Sequence, residues 1–199
     1  MNRARPLAPD ERRRYIIDAT TPLVLEHGAA VSTRQIAEAC GLAEGTLFRA
    51  FESKDAIVAA VCQSVFDPSP VVAELDAIDR DLPLAERAAR TVTVTRAASD
   101  RVRALLIAFH SGRMGRQPRD HQRDMSLMRQ RQVDLAEAVG RVLAPDADRL
   151  QVPLATAAHY LLLLVQVASM NPGDPFDNDT LALLLNHGIC RSPEDPDVQ

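Results

Sequence analysis

Proline and glycine cut this chain into blocks of helix length, and within most blocks the apolar residues return every three or four positions. From Pro9 to His27, the residues Tyr15, Ile16, Ala19, Leu23 and Val24 keep that spacing, and Gly28 follows as a stop signal. Pro22 lies inside this block, and its missing N–H predicts a bend or the local loss of a hydrogen bond. Ser32 or Thr33 opens a short helix with Ile36, Ala37 and Cys40 facing inward, closed by Gly41. A second short helix runs from about Glu44 to Phe51. Ser53 then opens a longer one carrying Ile57, Val58, Val61, Cys62 and Val65, which ends at the Pro68-Ser69-Pro70 break.

The later blocks are longer. Pro83 to Phe109 reads as one helix or two; its TVTVT stretch (Thr91 to Thr95) alternates like a strand but is outvoted by helix formers on both sides. A loop at 112–118 precedes a helix over about 120–143, and Pro145 and Pro153 bracket another loop. Thr156 to Met170 is strongly apolar, a Pro/Gly turn follows, and Thr180 to Ile189 is the last predicted helix. Residues 1–8 and 192–199 read as flexible tails. With no convincing pair of strands and no repeat, the expected fold is all-α.

With 199 residues, 46% of them apolar and 25% charged, the chain is long enough to bury a real core and too apolar for wholesale disorder. Its longest near-apolar run, Tyr160 to Met170, falls short of the about 20 residues of a membrane span, and the N-terminus has no signal-peptide core. No membrane association and a cytoplasmic location are expected. The cysteines, Cys40, Cys62 and Cys190, form no CxxC, and the five histidines form no HxH or HxxxH pair, so neither a disulfide framework nor a local metal motif is expected. No cofactor is called for.

The informative segment is VSTRQIAEACGLAEGTLFRAFESKD, Val31 to Asp55. Two short helices meet at a tight turn containing Gly41, the layout of a helix-turn-helix whose second helix enters a DNA major groove. Ala37 and Gly41 are small enough to let the helices approach, Leu42 and Leu47 plug the space between them, and Thr33 sits where a hydroxyl at a helix start meets a phosphate. Charge permits this reading without requiring it. Residues 1–66 hold eight Lys/Arg and eight Asp/Glu, and the positive charge is concentrated at Arg3, Arg5 and Arg12 to Arg14. The Arg12-Arg13-Arg14 run reads equally as a solvated helix face or a DNA contact.

The pattern T-x-x-I-A-x-x-x-G-[VL]-x-x-G-T-L-[YF]-x-x-F-x-S-K-[DE] is met by Thr33, Ile36, Ala37, Gly41, Leu42, Gly45, Thr46, Leu47, Phe48, Phe51, Ser53, Lys54 and Asp55. In this the segment resembles the DNA-binding domain of the TetR family of bacterial transcriptional regulators. The resemblance implies a three-helix DNA-binding domain at 9–66, with its motif at about 32–51, and a larger helical effector-binding and dimerisation domain at 67–191. It implies phosphate contacts from Thr33, the Thr46 region and Lys54, with Arg34, Glu44, Gly45, Thr46 and Arg49 near the groove. Family members often carry Tyr where Phe48 stands, and Tyr or His where Ala50 stands. Neither residue here offers a polar group, which shifts weight onto Arg49, Lys54 and the N-terminal arginines.

The expected function is a DNA-binding transcriptional regulator, a repressor released from a pseudo-palindromic operator by a small-molecule effector. The alternatives are an enzyme or an all-α interaction module that does not bind DNA; no phosphate loop, nucleophile elbow or metal spacing favours an enzyme. Nearly all-apolar helices at about 154–170 and 180–190 require cover, which predicts a homodimer through them. An effector cavity walled by the helices at 83–109, 120–143 and 154–170 draws on Leu105, Leu106, Phe109, Met125, Met128 and Leu161 or Leu162, with His110, Arg113 or His159 meeting a polar end. Helical spacing favours a plain core role for the apolar ones, and a core or interface place suits the histidines equally well. Leu and Met walls with few aromatics suit a mainly apolar small molecule. The net +6 stretch at 101–131 suits an anionic ligand, an acidic partner or solvent alone.

Overall fold

The computed structural model describes residues 8–111 and 118–170 together with Asn178 and Thr180, the side chains of residues 110, 111 and 118–125 excepted. The described residues are helical and contain no strand. The helices are α1 (Pro9–His27), α2 (Thr33–Cys40), α3 (Glu44–Ala50), α4 (Lys54–Phe66), α5 (Ser69–Asp76), α6 (Leu84–Ser111), α7 (Pro118–Leu143) and α8 (Leu154–Met170), with single 3₁₀ segments at Gly28–Ala30 and Ala144–Arg149. The helix expected at 180–190, with Cys190, lies outside the described residues.

The chain divides into two compact units: residues 1–66 with 101–118, and residues 67–100 with 119–199. In the first, Ile16, Val24, Val31, Ile36, Leu47, Ile57 and Val61 are fully buried, one apolar residue or more from each of α1 to α4. Gly28 ends α1 with φ +57°, and a Cβ there would lie 2.5 Å from the carbonyl oxygen of Ala108. Only glycine fits so close a backbone approach. In the second unit one core runs from Val71 and Leu75 on α5, through Val92 on α6 and Val139, Val142 and Leu143 on α7, to Leu161 and Val165 on α8.

Several elements differ from expectation. Helix α1 continues through Pro22, whatever hydrogen bond the missing N–H costs it. Residues 84–111 form one helix through the TVTVT stretch. There the Thr91 hydroxyl donates to the Arg87 carbonyl at 2.7 Å, and that of Thr95 to the Thr91 carbonyl at 2.7 Å. Bonding back to the preceding turn lets both threonines be buried without an unmet polar group. Helix α5 stands where only a break was read: Asp67 Oδ1 accepts from the Ser69 N–H at 2.9 Å, and Pro70 occupies the first turn, where its missing N–H costs nothing. Together with α4 it makes Lys54–Asp76, a stretch long and apolar enough by length and composition to cross a membrane, although none was expected. It is two helices parted at Asp67 and Pro68, and Ile57, Val58, Val61, Phe66, Val71 and Leu75 are core residues, which accounts for its apolar character.

Helix α8 also departs from expectation. It is apolar all round in sequence, yet only one face is covered: Ala157, Ala158, Leu161, Leu162, Val165, Ala168 and Ser169 are buried. Tyr160, Leu163, Leu164, Val167 and Met170 are 39–68% exposed. These five recur at helical spacing and form one stripe. Arg87 was not singled out by sequence and is the largest fully buried side chain. Its guanidinium donates to the Val142 carbonyl at 2.8 Å and pairs with the Asp146 carboxylate.

Candidate nucleic-acid interface

The site begins with two helix caps. Ser32 is the N-cap of α2: its hydroxyl accepts from the Gln35 N–H at 3.2 Å, and Gln35 Oε1 accepts in return from the Ser32 N–H at 2.9 Å. This reciprocal box satisfies two donors that a helix start leaves open. Because Ser32 does the capping, the hydroxyl of Thr33 is released for other work. Gly41 ends α2 in the left-handed region, φ 61° and ψ 30°, and the N–H groups of Gly41 and Leu42 donate to Glu38 and Ala37 carbonyls at 3.1 and 2.9 Å. A Cβ at Gly41 would meet nothing within 4 Å. The glycine is there for its backbone angle, and the close helix approach expected of it is not the reason.

Helix α3 follows after three residues, Gly41 to Ala43, and buries Leu47 fully, while Leu42 is half-buried. Its other side is open: Glu44, Gly45, Phe48 and Arg49 are exposed, and Thr46 is half-buried. Two side chains fix this helix pair by donating to carbonyls that helix ends leave without partners, and a third ties the 3₁₀ turn before it. The Tyr15 hydroxyl takes the last carbonyl of α2, at Cys40, at 2.9 Å. Arg13 takes the last carbonyl of α3, at Ala50, and its guanidinium carbon stands 4.2 Å from the centre of the Phe51 ring, a cation–π contact. Lys54 Nζ takes the Ala29 carbonyl at 2.9 Å.

Sequence residues proposed for DNA thus fall into two sets. Gly45, Phe48 and Arg49 lie on the open face of α3 with Glu44. Thr33, Arg34, Glu44 and Lys54 have protein partners: Thr33 Oγ1 donates to Glu44 Oε2 at 2.9 Å, Arg34 Nε donates to Glu38 Oε1 at 2.9 Å, and Lys54 holds Ala29. The hydrogen bond to Glu38, with the charges of Glu38 and Glu44, raises the Arg34 pKa above its usual value. Burial pushes the Cys40 thiol up, so the thiolate a redox sensor needs is disfavoured. The roles of Tyr15 and Arg13 were missed, since each reaches a partner at least 25 residues away; the Ser-x-x-Gln box was legible but unused.

Of the effector candidates, Leu105 is buried and Phe109 half-buried within the first unit, while Met128 is half-buried in the second. Leu161 and Leu162 belong to the second core. His159 is exposed beside Tyr160, its Nδ1 2.8 Å from the Ala155 carbonyl oxygen. The His110 and Met125 side chains, and Arg113, Arg3 and Arg5 altogether, lie outside what the structure describes.

The capped helix pair with an open second helix defines a helix-turn-helix module. Residues 16–61 match the family model for bacterial regulatory proteins of the tetR family. In this N-terminal segment the chain is similar to that family of transcriptional regulators. Solved structures share the whole fold. A transcriptional regulator from Rhodococcus sp. Rha1 is 19% identical, with 91% of this chain and 99% of that one covered at a TM-score of 0.60. The fatty acid degradation regulator FadR from Bacillus halodurans is 17% identical, with 92% and 98% covered at 0.61. The superantigen PfiT, 16% identical, is covered over 94% of this chain and all of its own at 0.62. At these identities the likeness concerns the fold; function is carried by the site.

Proposed function

We propose that this chain is a homodimeric repressor that leaves a pseudo-palindromic operator when a small molecule binds. The observation that carries the reading is the open face of α3, with Glu44, Gly45, Phe48 and Arg49 exposed on a helix whose inner residue, Leu47, is fully buried. A seven-residue helix fastened at both ends and bare on one side is built to present side chains to a groove. On this reading residues 9–66 bind DNA and 67–191 dimerise and take the effector. Lys54 braces the Ala29 carbonyl with one of its three donors and brings its charge to the phosphate backbone with the others.

The exposed stripe of α8 supports the dimer. Five large apolar side chains on one helix face are costly in water, and a second copy of the same stripe covers them by two-fold symmetry. His159 flanks that stripe, so we assign it to the dimer face. The effector is proposed to be a mainly apolar molecule with one polar end, which lowers operator affinity by favouring a conformation with a different spacing of the two α3 helices.

A mobility-shift assay with the DNA upstream of this chain's own gene tests the reading. A shift that resists unrelated competitor DNA is the expected result, and Lys54→Ala is expected to weaken binding to all sequences alike with a shallower salt dependence. The same weak binding to every duplex would favour an interaction module instead.

A further inference from the structure

We propose that Glu44 and Phe48 together read a cytosine and a nearby thymine in the major groove, with Thr33 as the positioning residue for Glu44; this rests on the chain being an operator-binding protein. Glu44 opens α3 and is exposed, and Phe48, one helical turn on, is 45% exposed on the same side. A carboxylate at this place is repelled by phosphates, so its only attractive partners on DNA are base amino groups. Cytosine suits it best. The cytosine amino group is flanked in the major groove by a plain C5–H, whereas the adenine amino group stands beside the N7 acceptor, which would face the second carboxylate oxygen.

The hydroxyl of Thr33 donates to Glu44 Oε2 at 2.9 Å. This bond restricts the rotamers of a long side chain while leaving other lone pairs of the carboxylate to accept. It also makes Thr33 a groove-side brace. Phe48 supplies the other half. An exposed ring without a hydroxyl has no polar business with the backbone, but it has an apolar partner in the thymine methyl group. Four residues of helix rise about 6 Å and stacked base pairs about 3.4 Å, so the two contacts fall within about two base steps of each other.

The test starts from duplexes selected by the full-length protein out of random-sequence DNA. Within the selected half-site, each C·G pair is replaced by T·A, and each thymine by uracil, which removes only the methyl group. Wild type is expected to lose about 5- to 150-fold at one C·G pair, and a smaller factor at a uracil within two steps of it. Glu44→Gln should transfer preference at that pair to adenine, which a glutamine grips at both N6 and N7. Phe48→Ala should become indifferent to uracil. Thr33→Val should discriminate less at the cytosine, with its salt dependence unchanged. Sequence-selective binding in which Glu44→Gln keeps the wild-type preference at every pair overturns this inference alone. Failure of wild type to select any sequence overturns the operator-binding reading with it.

Discussion

The two units hold themselves together by different means. In the first, α2 and α3 have only eight and seven residues, so half or more of their carbonyls lie at a helix end. Tyr15, Arg13 and Lys54 each spend a donor on such a carbonyl or on that of the 3₁₀ turn. In the second, helices of 17 and 26 residues satisfy their own backbones and meet through a continuous apolar core. Short helices put their stability into tie points; long ones put it into area. The first arrangement leaves one face of α3 uncovered without loosening it, which is what a surface that must meet DNA requires.

The largest test of this contrast is the buried ion pair of the second unit. Asp146→Ala leaves the fully buried Arg87 guanidinium without its counter-charge and is expected to cost about 3–5 kcal/mol, read from urea unfolding. A loss below about 1 kcal/mol would mean that apolar area alone holds this unit. Next comes the exposed stripe. Leu163→Glu with Val167→Glu is expected to raise the dimer dissociation constant by more than about 30-fold, the scale of one interface hot spot, as measured by light scattering over a dilution series. The same variant should fold normally as a monomer, because these side chains are not in the core.

In the first unit the effects are smaller and more numerous. Tyr15→Phe removes only the hydroxyl bound to the Cys40 carbonyl and should cost about 0.5–1.5 kcal/mol, with faster amide exchange confined to α2 and α3. Exchange spread evenly over the unit would argue against local tie points. The smallest effect is a surface pair of the second unit. Arg141 grips Asp76 through two bonds of 2.9 Å and holds its carboxyl below the ordinary Asp range. A depressed pKa stabilises the fold above the unfolded-state value, and that contribution fades as pH falls through the lowered one. Both partners are more than a third exposed, so the Arg141→Gln variant should lose about 0.2–1 kcal/mol at neutral pH and match wild type in acid.

Much of the first unit was legible because its signals are local. The Gly41 stop, the Ser53 start and the register from Thr33 to Asp55 each depend on neighbours within a few residues. What joined α1 to α2 and α3 was not, since nothing near Tyr15 or Arg13 marks a distant carbonyl as the target. Helix α5 was lost because proline signals both a break and a helix start, and the turn that Asp67 makes with the Ser69 N–H was not read. On α8 the sequence showed apolar residues on every side. Such a flat pattern cannot tell a core-facing row from a partner-facing one, and the row of Ala157, Ala158 and Ala168 fell to the core while larger side chains were left outside. The open face of α3 was named residue by residue, but the bond between Thr33 and Glu44 depended on Ser32 taking the cap.

The seat of Gly28 against Ala108 has a consequence for how the chain is born. The first unit is discontinuous and includes residues 101–118. About 80 residues therefore separate the end of α1 from its backbone neighbour. At a synthesis rate of about 5–20 residues per second, Gly28 waits several seconds before that neighbour leaves the ribosome. During that interval the end of α1 lacks the backbone neighbour its glycine is shaped to meet, so the first unit cannot close until most of α6 has been made.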